Sequence, residues 1–445
     1  MAIPNTGKSV RTEAAASTTS NKAAMAMVTT LFFMWGFVTC LNDILIPHLK
    51  SIFDLNYAEV MLVQFSFFTG YFVFAMPAGK VVQWIGYQRT MVTGLFVMAL
   101  GALLFIPAAS LPSFPFFLAA LVVVAAGMTA LQVSANAYVA ILGPPQTASS
   151  RLNLTQAFNS LGTFVAPYFG SFLILSTATL SAVQMRQLSA AALHAYRLQQ
   201  AATVKLPYLL IGGVLLVLAL GIAFFRLPKI AGVEDTTEIE DPNTKLALSL
   251  WRQRHLILGV IGIFVYVGAE VAIGSFLVNY FNQPDIGGMP QKIAAVYVSF
   301  YWGCAMVGRF IGSAVLQKLP TGGVLGTAAL IACGLVITSL MTFGHVAMWS
   351  IILVGLFNSV MFPSIFTLGI AGLGPLTGKG SGLLVAAIVG GAIIPELEGA
   401  LADHIGIHHA FLLPALCYIY IAFYGFKGSS PPEAPALQER RLQAA

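Results

Sequence analysis

The residues able to carry chemistry in this 445-residue chain are few, because only 9% of it is charged. Asp43 stands beside Asn42 in the run Trp35-Gly-Phe-Val-Thr-Cys-Leu-Asn-Asp-Ile-Leu-Ile-Pro47, otherwise largely apolar. A carboxylate deep in such a helix costs roughly 2.5–3.5 kcal/mol to insert, so it persists where it lines a watery cavity or a proton path. The competing reading is an Asp near the helix end that reaches interfacial water. Glu270, in Phe264-Val-Tyr-Val-Gly-Ala-Glu-Val-Ala-Ile-Gly-Ser275, reads equally as a second proton site or a structural hydrogen-bond acceptor. Glu396 and Glu398 flank Leu397 just after Pro395. Positions two apart on a helix diverge by about 200°, so these two cannot face one site, and at least one is expected at the outer end or against a partner.

Amides form the second set. Gln132 and Asn136 lie one turn apart on one helix face. Asn153, Gln156, Asn159, Ser160 and Thr163 follow within one stretch, and at 100° per residue they fall in an arc of about 120°. Amides and hydroxyls on one stripe suit a neutral ligand with many hydroxyls, since each amide both donates and accepts. An anion calls for several Arg or Lys, and none lies mid-stretch. The alternative is hydrogen bonding between helices, worth about 0.6 kcal/mol each. His404, His408 and His409 cluster with Asp403, and an exposed polar turn is expected there in preference to zinc. Cys40, Cys304, Cys333 and Cys417 have no metal-ligand spacing and read as small hydrophobes. No phosphate-binding loop and no nucleophile–base arrangement occurs, so ATP-driven transport by this chain alone is disfavoured and an enzyme is not expected. No cofactor or metal is expected.

The elements that must position these residues are membrane-spanning. The chain is 58% apolar with 22 Lys plus Arg and 16 Asp plus Glu, too few charges to cover a soluble protein of this size. Long continuous apolar runs exclude a β-barrel and disorder. Twelve stretches span about 25–47, 60–79, 90–109, 114–140, 152–176, 206–226, 256–281, 293–315, 323–343, 346–371, 380–402 and 407–426, most reaching the ~20 residues that cross a bilayer. With the N-terminus in the cytoplasm, 17 of the 22 basic residues fall on that side. The positive-inside rule then puts both termini there and explains the basic pI without nucleic acid. No apolar core with a small-residue cleavage site precedes the first stretch, so no cleaved signal peptide is expected.

The expected organisation is a tail over 1–24, a six-helix half over 25–226, a cytoplasmic linker over 227–255 containing the acidic run Val233–Asn243, a second half over 256–427, and a tail over 428–445. An external loop over about 177–205 is expected to be helical in its Met185–Gln200 portion. The halves repeat: no charged residue occurs from Thr90 to Ser150 or from Leu319 to Gly378, and each gap is bounded by basic residues. Arg151 precedes Pro167, and Lys379 precedes Pro395, by 16 residues each. A duplicated six-helix unit follows, the architecture of major facilitator transporters.

Between stretches 2 and 3, Gly79-Lys-Val-Val-Gln-Trp-Ile-Gly-Tyr-Gln-Arg89 resembles the signature loop of that superfamily, with Gly79, Gly86 and Arg89 at its marked positions and Gln83 where an acidic residue is usual. A second copy, Gly308-Arg309-Phe-Ile-Gly312, is expected after helix 8. The Trp35–Pro47, Gly143–Gly162, Phe264–Tyr280 and Gly355–Pro363 blocks resemble the fucose:proton symporter family, and within it bacterial glucose/galactose transporters, over nearly the whole chain. That resemblance implies proton-coupled sugar uptake by alternating access across the bacterial inner membrane, with Asp43 as the proton-linked carboxylate. Gln132 stands where the fucose symporter has a functional Glu, and Gln156 and Asn159 match its sugar-contacting amides. Asn42 and Asn136 complete the expected sugar site, and Asp43 with Glu270 the expected coupling pair. The expected partners are a small-molecule sugar, a proton (or sodium) and the lipid bilayer, with the chain a monomer. Import of N-acetylglucosamine or fucose, drug efflux, and a transporter-like sugar sensor are the alternatives; an 18-residue tail after Lys427 counts against the sensor.

Overall fold

The computed structural model describes residues 22–40, 49, 53, 57–110, 113–173, 184–185, 187–225, 227–228 and 250–430. Asn42, Asp43, the Val233–Asn243 run and most of both tails lie outside the described residues. The described residues form helices and turns with no strand. Among the described residues, nine helices are long and apolar enough to cross a membrane by hydropathy alone. One of these is two spans joined at a kink, and two further long helices carry polar stripes that lower their hydropathy. The spans are α1 (Lys22–Cys40), α2 (57–85), α3 (87–110), α4 (Phe114–Ile141), α5 (Ala148–Leu173), α6 (Lys205–Phe224), α7 (Arg254–Asn282), α8 (Gln291–Val315), α9 (Thr321–Met341), α10 (Gly344–Ile370), α11 (Gly374–Ile405) and α12 (Ile407–Gly428). A further helix, Ala190–Ala202, precedes α6 and is capped by Ser189, whose hydroxyl accepts from the Ala192 amide.

Two expected loops are helical instead. Helical backbone continues through the segment between α2 and α3, and the chain turns at Gly86 alone, at φ 78° and ψ 171°. That backbone region is closed to side chains by Cβ sterics and open to glycine. Gly79 therefore belongs to α2 and Arg89 to α3. Likewise Gly308 and Arg309 lie inside α8, nearly two turns before its end, and not after it. A single Arg near a helix end is compatible with continued helix.

Contacts divide the chain into two compact units. The first comprises Met1–Gly70, Ile85–Ala148 and Thr155–Ala231; the second comprises Tyr71–Trp84, Ser149–Leu154 and Gly232–Ala445. In the first, α1 and α5 meet backbone to backbone: a side chain at Gly36 would collide with the Asn159 carbonyl, and one at Gly162 with the Phe33 carbonyl. In the second, α7 is the hub, packing on α8, α10, α11 and α12. Its closest approach is to α11, where a Cβ on Gly390 would strike the Phe264 carbonyl and one on Gly268 would strike Ile394.

Small residues at such crossings let membrane helices gain dispersion contact that lipid would otherwise supply. Gly36→Val therefore forces the α1–α5 seam apart, at a cost of about 1–3 kcal/mol or more. Gly213→Val is the control, because nothing lies within 4 Å of a Cβ there. Thermal unfolding in detergent is expected to show a lowered midpoint for Gly36→Val and a near-wild-type one for Gly213→Val.

Candidate functional site

The polar stripe of the first half is built on α4 and α5. Gln132 and Asn136 are 3% and 0% exposed, and Gln156 is 5% exposed. The Gln132 Oε1 and both amide atoms of Asn136 are buried without a hydrogen-bond partner among the described residues. Buried amides are nearly always partnered, so these mark a place where polar occupancy is required. Asn159 is half-buried, and its Nδ2 donates to the Phe32 carbonyl at 3.0 Å. Thr163 Oγ1 donates to the Gly36 carbonyl at 3.4 Å and to the Asn159 carbonyl at 3.2 Å. Asn159 thus ties α5 to α1 through its amide nitrogen and keeps its carbonyl oxygen for other partners. Trp35 lies on the same helix as Phe32, with ring centroids 5.5 Å apart.

Asn153 departs from the stripe. Its Nδ2 donates to the Arg309 carbonyl of α8 at 2.6 Å. Beside it Ser150 donates to the Ser313 carbonyl at 2.7 Å, while the Ser149 hydroxyl meets Thr321 at 3.0 Å and Thr367 at 2.5 Å. Gln83 of α2 donates from Nε2 to the Pro375 carbonyl at 3.2 Å. Gly79 approaches Gly378 so closely that a Cβ on it would lie 2.8 Å from the Gly378 carbonyl oxygen. These contacts, all within the second unit, join the ends of α2 and α5 to α8, α9, α10 and α11 through neutral groups.

The second unit also holds a buried polar cluster of which sequence reasoning singled out only the acids and Arg309. Tyr266, Tyr301, Asn358 and Tyr418 are 0–1% exposed. Asn358 Nδ2 donates to the Tyr301 hydroxyl at 2.8 Å, and the Tyr266 hydroxyl donates to the Asn358 carbonyl at 3.1 Å. Glu270 lies one turn from Tyr266 on α7, and Tyr266 and Arg309 are the groups that act on it electrostatically. Tyr301 lies in the field of Glu270, Arg309 and Glu398 together. Glu396 is exposed and Glu398 is 1% exposed, so the 200° divergence does separate them. The signal for this cluster was present in Asn358, a lone amide inside a charge-free span, but nothing in one sequence links it to tyrosines 57 to 92 positions away.

The His cluster is not a uniformly exposed turn. His404 and His409 are exposed, but His408 is 7% exposed. Its Nε2 donates to the Leu340 carbonyl at 2.9 Å, its Nδ1 faces the Tyr280 hydroxyl at 3.2 Å, and Phe343 stacks on the ring at 5.0 Å and 9°. An imidazole bonded at both nitrogens is a packing element. Among the described residues no group of acidic, His or Cys side chains could hold a metal ion.

Residues 26–394 match the family described as Major Facilitator Superfamily. The chain is 53% identical to the glucose/galactose transporter of Brucella abortus over 406 residues, which is 91% of this chain and 94% of that one. It is 36% identical to the L-fucose-proton symporter of Escherichia coli, over 90% of this chain and 91% of that one. The crystal structure of a Major Facilitator Superfamily transporter, FucP, in the outward conformation superposes with a TM-score of 0.85 at 36% identity, covering 91% of this chain and 98% of that one.

The hydrogen bonds at the start of α5 make a direct expectation. A Ser150→Ala and Asn153→Ala double variant loses two buried bonds at about 1 kcal/mol net each, and leaves carbonyls unanswered at further cost. Its unfolding midpoint in detergent is expected to fall clearly below wild type, whereas Ser110→Ala, at an exposed hydroxyl bonded only to its own helix, leaves it unchanged.

Proposed function

Because this chain belongs to the Major Facilitator Superfamily, and is a twelve-helix membrane transporter and not an enzyme, we propose that it imports a neutral hexose, glucose or galactose, together with protons by alternating access. The observation that carries this reading is the set of buried amides on α4 and α5, with Gln132 and Asn136 wanting polar partners and no cation among them. Amides of this kind match the mixed donor and acceptor character of sugar hydroxyls. The names of the relatives from Brucella abortus and Escherichia coli support a sugar and a proton as the transported pair. We assign Gln132, Asn136, Gln156, Asn159 and Asn42 to the sugar, Asp43 to proton coupling in the first half, and Glu270 beside Arg309 to the second. Residues 25–226 and 256–427 are the two halves, joined by a linker over 227–255, with tails over 1–24 and 428–445. The chain is read as a monomer in the bacterial inner membrane with both termini in the cytoplasm.

The driving force is sufficient. One proton moving down ~100 mV gains about 2.3 kcal/mol, and one pH unit adds roughly 1.4 kcal/mol. Uptake of labelled glucose into vesicles, with a panel of unlabelled sugars and with proton or sodium gradients imposed in turn, tests the reading. Saturable, pH-driven uptake inhibited by glucose and galactose is expected. Fucose as the strongest competitor reassigns the substrate, and stimulation by sodium alone reassigns the ion. Binding without uptake makes the chain a sensor, and drug-stimulated proton movement makes it an exporter.

Two variants sharpen this. Asp43→Asn removes the only carboxylate assigned to the first-half core, so accumulation against a gradient is expected to vanish while exchange of sugar across the membrane survives. Gln156→Ala leaves a sugar hydroxyl unpaired, a loss of about 1–3 kcal/mol, or roughly 5- to 150-fold in affinity. Calorimetry on purified, folded Gln156→Ala protein reads that number directly, and wild-type affinity removes Gln156 from the site.

A further inference from the structure

Glu398 is the most isolated ionisable group among the described residues. It lies on α11 about two turns before the end of that membrane-crossing helix, is 1% exposed, and has neither carboxyl oxygen in contact with a hydrogen-bond donor. The titratable groups that face it are Tyr301 on α8 and Cys417 on α12; the other ionisable groups of the cluster, Glu270 and Tyr266 on α7, Arg309 on α8 and Tyr418 on α12, lie beyond Tyr301, with Asn358 of α10 bonded to that tyrosine. Arg309 acts on Glu270, whereas the groups that feel Glu398 are Tyr301 and Cys417, neither of which carries positive charge.

An ionised carboxylate enclosed in apolar surroundings without a cation or a donor takes up a proton in preference to remaining charged. We propose that Glu398 is a proton-binding site of the second half: it holds a proton whenever α7, α8, α11 and α12 are closed around it as here, and releases it only when a rearrangement of α11 brings water to it. The chemistry is one O–H bond made from a proton of the aqueous phase and later returned to it, with no other bond changed. Glu398 follows by one turn Ile394, which packs on Gly268 at the close crossing of α7 and α11, so separation of those helices is the step that admits water.

This inference rests on the proton-coupled reading above, and the test separates the two. Wild-type protein in vesicles is expected to take up protons when sugar is added; absence of that signal in wild type overturns the coupling reading itself. Glu398→Gln keeps the size and neutrality of the protonated acid. It is expected to fold with a wild-type unfolding midpoint, to lose net pH-driven accumulation, and to retain sugar counterflow. Counterflow in wild type is expected to decline as pH rises, because the ionised acid cannot be enclosed, and in Glu398→Gln that decline is expected to disappear. A purely structural role moves none of these pH readouts. Three results overturn the proposal while leaving symport intact: wild-type pH dependence in Glu398→Gln, wild-type sugar-induced proton uptake in that variant, or failure of that variant to fold, since a site that is already neutral tolerates the amide. Infrared difference spectra of folded wild type against Glu398→Gln give an independent reading. The band of a protonated carboxylic acid is expected to be lost in the variant, and an ionised-carboxylate band lost in its place overturns the assignment.

Discussion

Hydrocarbon offers no hydrogen bonds, and that constraint orders this chain at every level. The backbone meets it by running as helix almost throughout the described residues, breaking only where glycine or a short tight turn can answer the freed groups. Side chains meet it by borrowing backbone carbonyls from neighbouring helices: Asn159 takes that of Phe32, Asn153 that of Arg309, Ser150 that of Ser313 and Gln83 that of Pro375. Such borrowing needs backbones near enough to reach, and the glycines at 36, 79 and 162 bring them there. Polar recognition and close helix packing are therefore one device in this protein and not two.

The hydrogen bonds that Gln83, Ser149, Ser150 and Asn153 make in the second unit use neutral donors. Gln83 stands where the superfamily signature loop usually has an acid, and an amide there donates to a carbonyl where an acid could only accept. Neutral bonds contribute about 1 kcal/mol net each. Several together hold a conformation, yet none leaves an unpaired ion when broken. A transporter must break and remake such joints in each cycle, and an ion pair stranded in a low-dielectric interior raises the barrier to doing so.

Much of the architecture was legible because the bilayer writes a long, simple signal. Twenty apolar residues in a row specify a span whatever its neighbours, and even α5 and α8, whose stripes lower their hydropathy, were readable as interrupted apolar runs. Their polar faces were also readable, since a stripe is a local property of one helix. What a single sequence does not encode locally is which stripe residue meets which neighbour. Asn153 and Asn159 sit two turns apart on one arc, yet one reaches α8 and the other α1. His408 reads as a polar turn residue until Tyr280, Leu340 and Phe343 are brought to it from two other helices. The Tyr301–Asn358 bond joins residues 57 positions apart and has no counterpart in any local pattern. Turn positions failed for a related reason: Gly79 and Arg89 look like loop residues, but one glycine at 86 suffices for the reversal.

The proposed assignment of amides to the sugar and carboxyls to the proton carries a thermodynamic consequence. Gln132, Asn136, Gln156 and Asn159, which we propose hold the sugar, do not titrate, so on that assignment sugar affinity in a given conformation has no pH dependence of its own from these groups. The resemblance to the fucose symporter family implies a functional Glu where this chain has Gln132, and an amide there offers no direct link between proton and sugar. Protons then act on sugar binding only by shifting the populations of conformations in which the titratable carboxyls differ in exposure. Linkage makes the effect reciprocal: sugar changes proton affinity by the same factor that protons change sugar affinity, however far apart the two sites lie. On the proposed assignment, recognition of the ligand by amides and of the ion by carboxyls couples the two through the packing of the helices, and the glycine crossings that set that packing belong to the coupling machinery as much as the acids do.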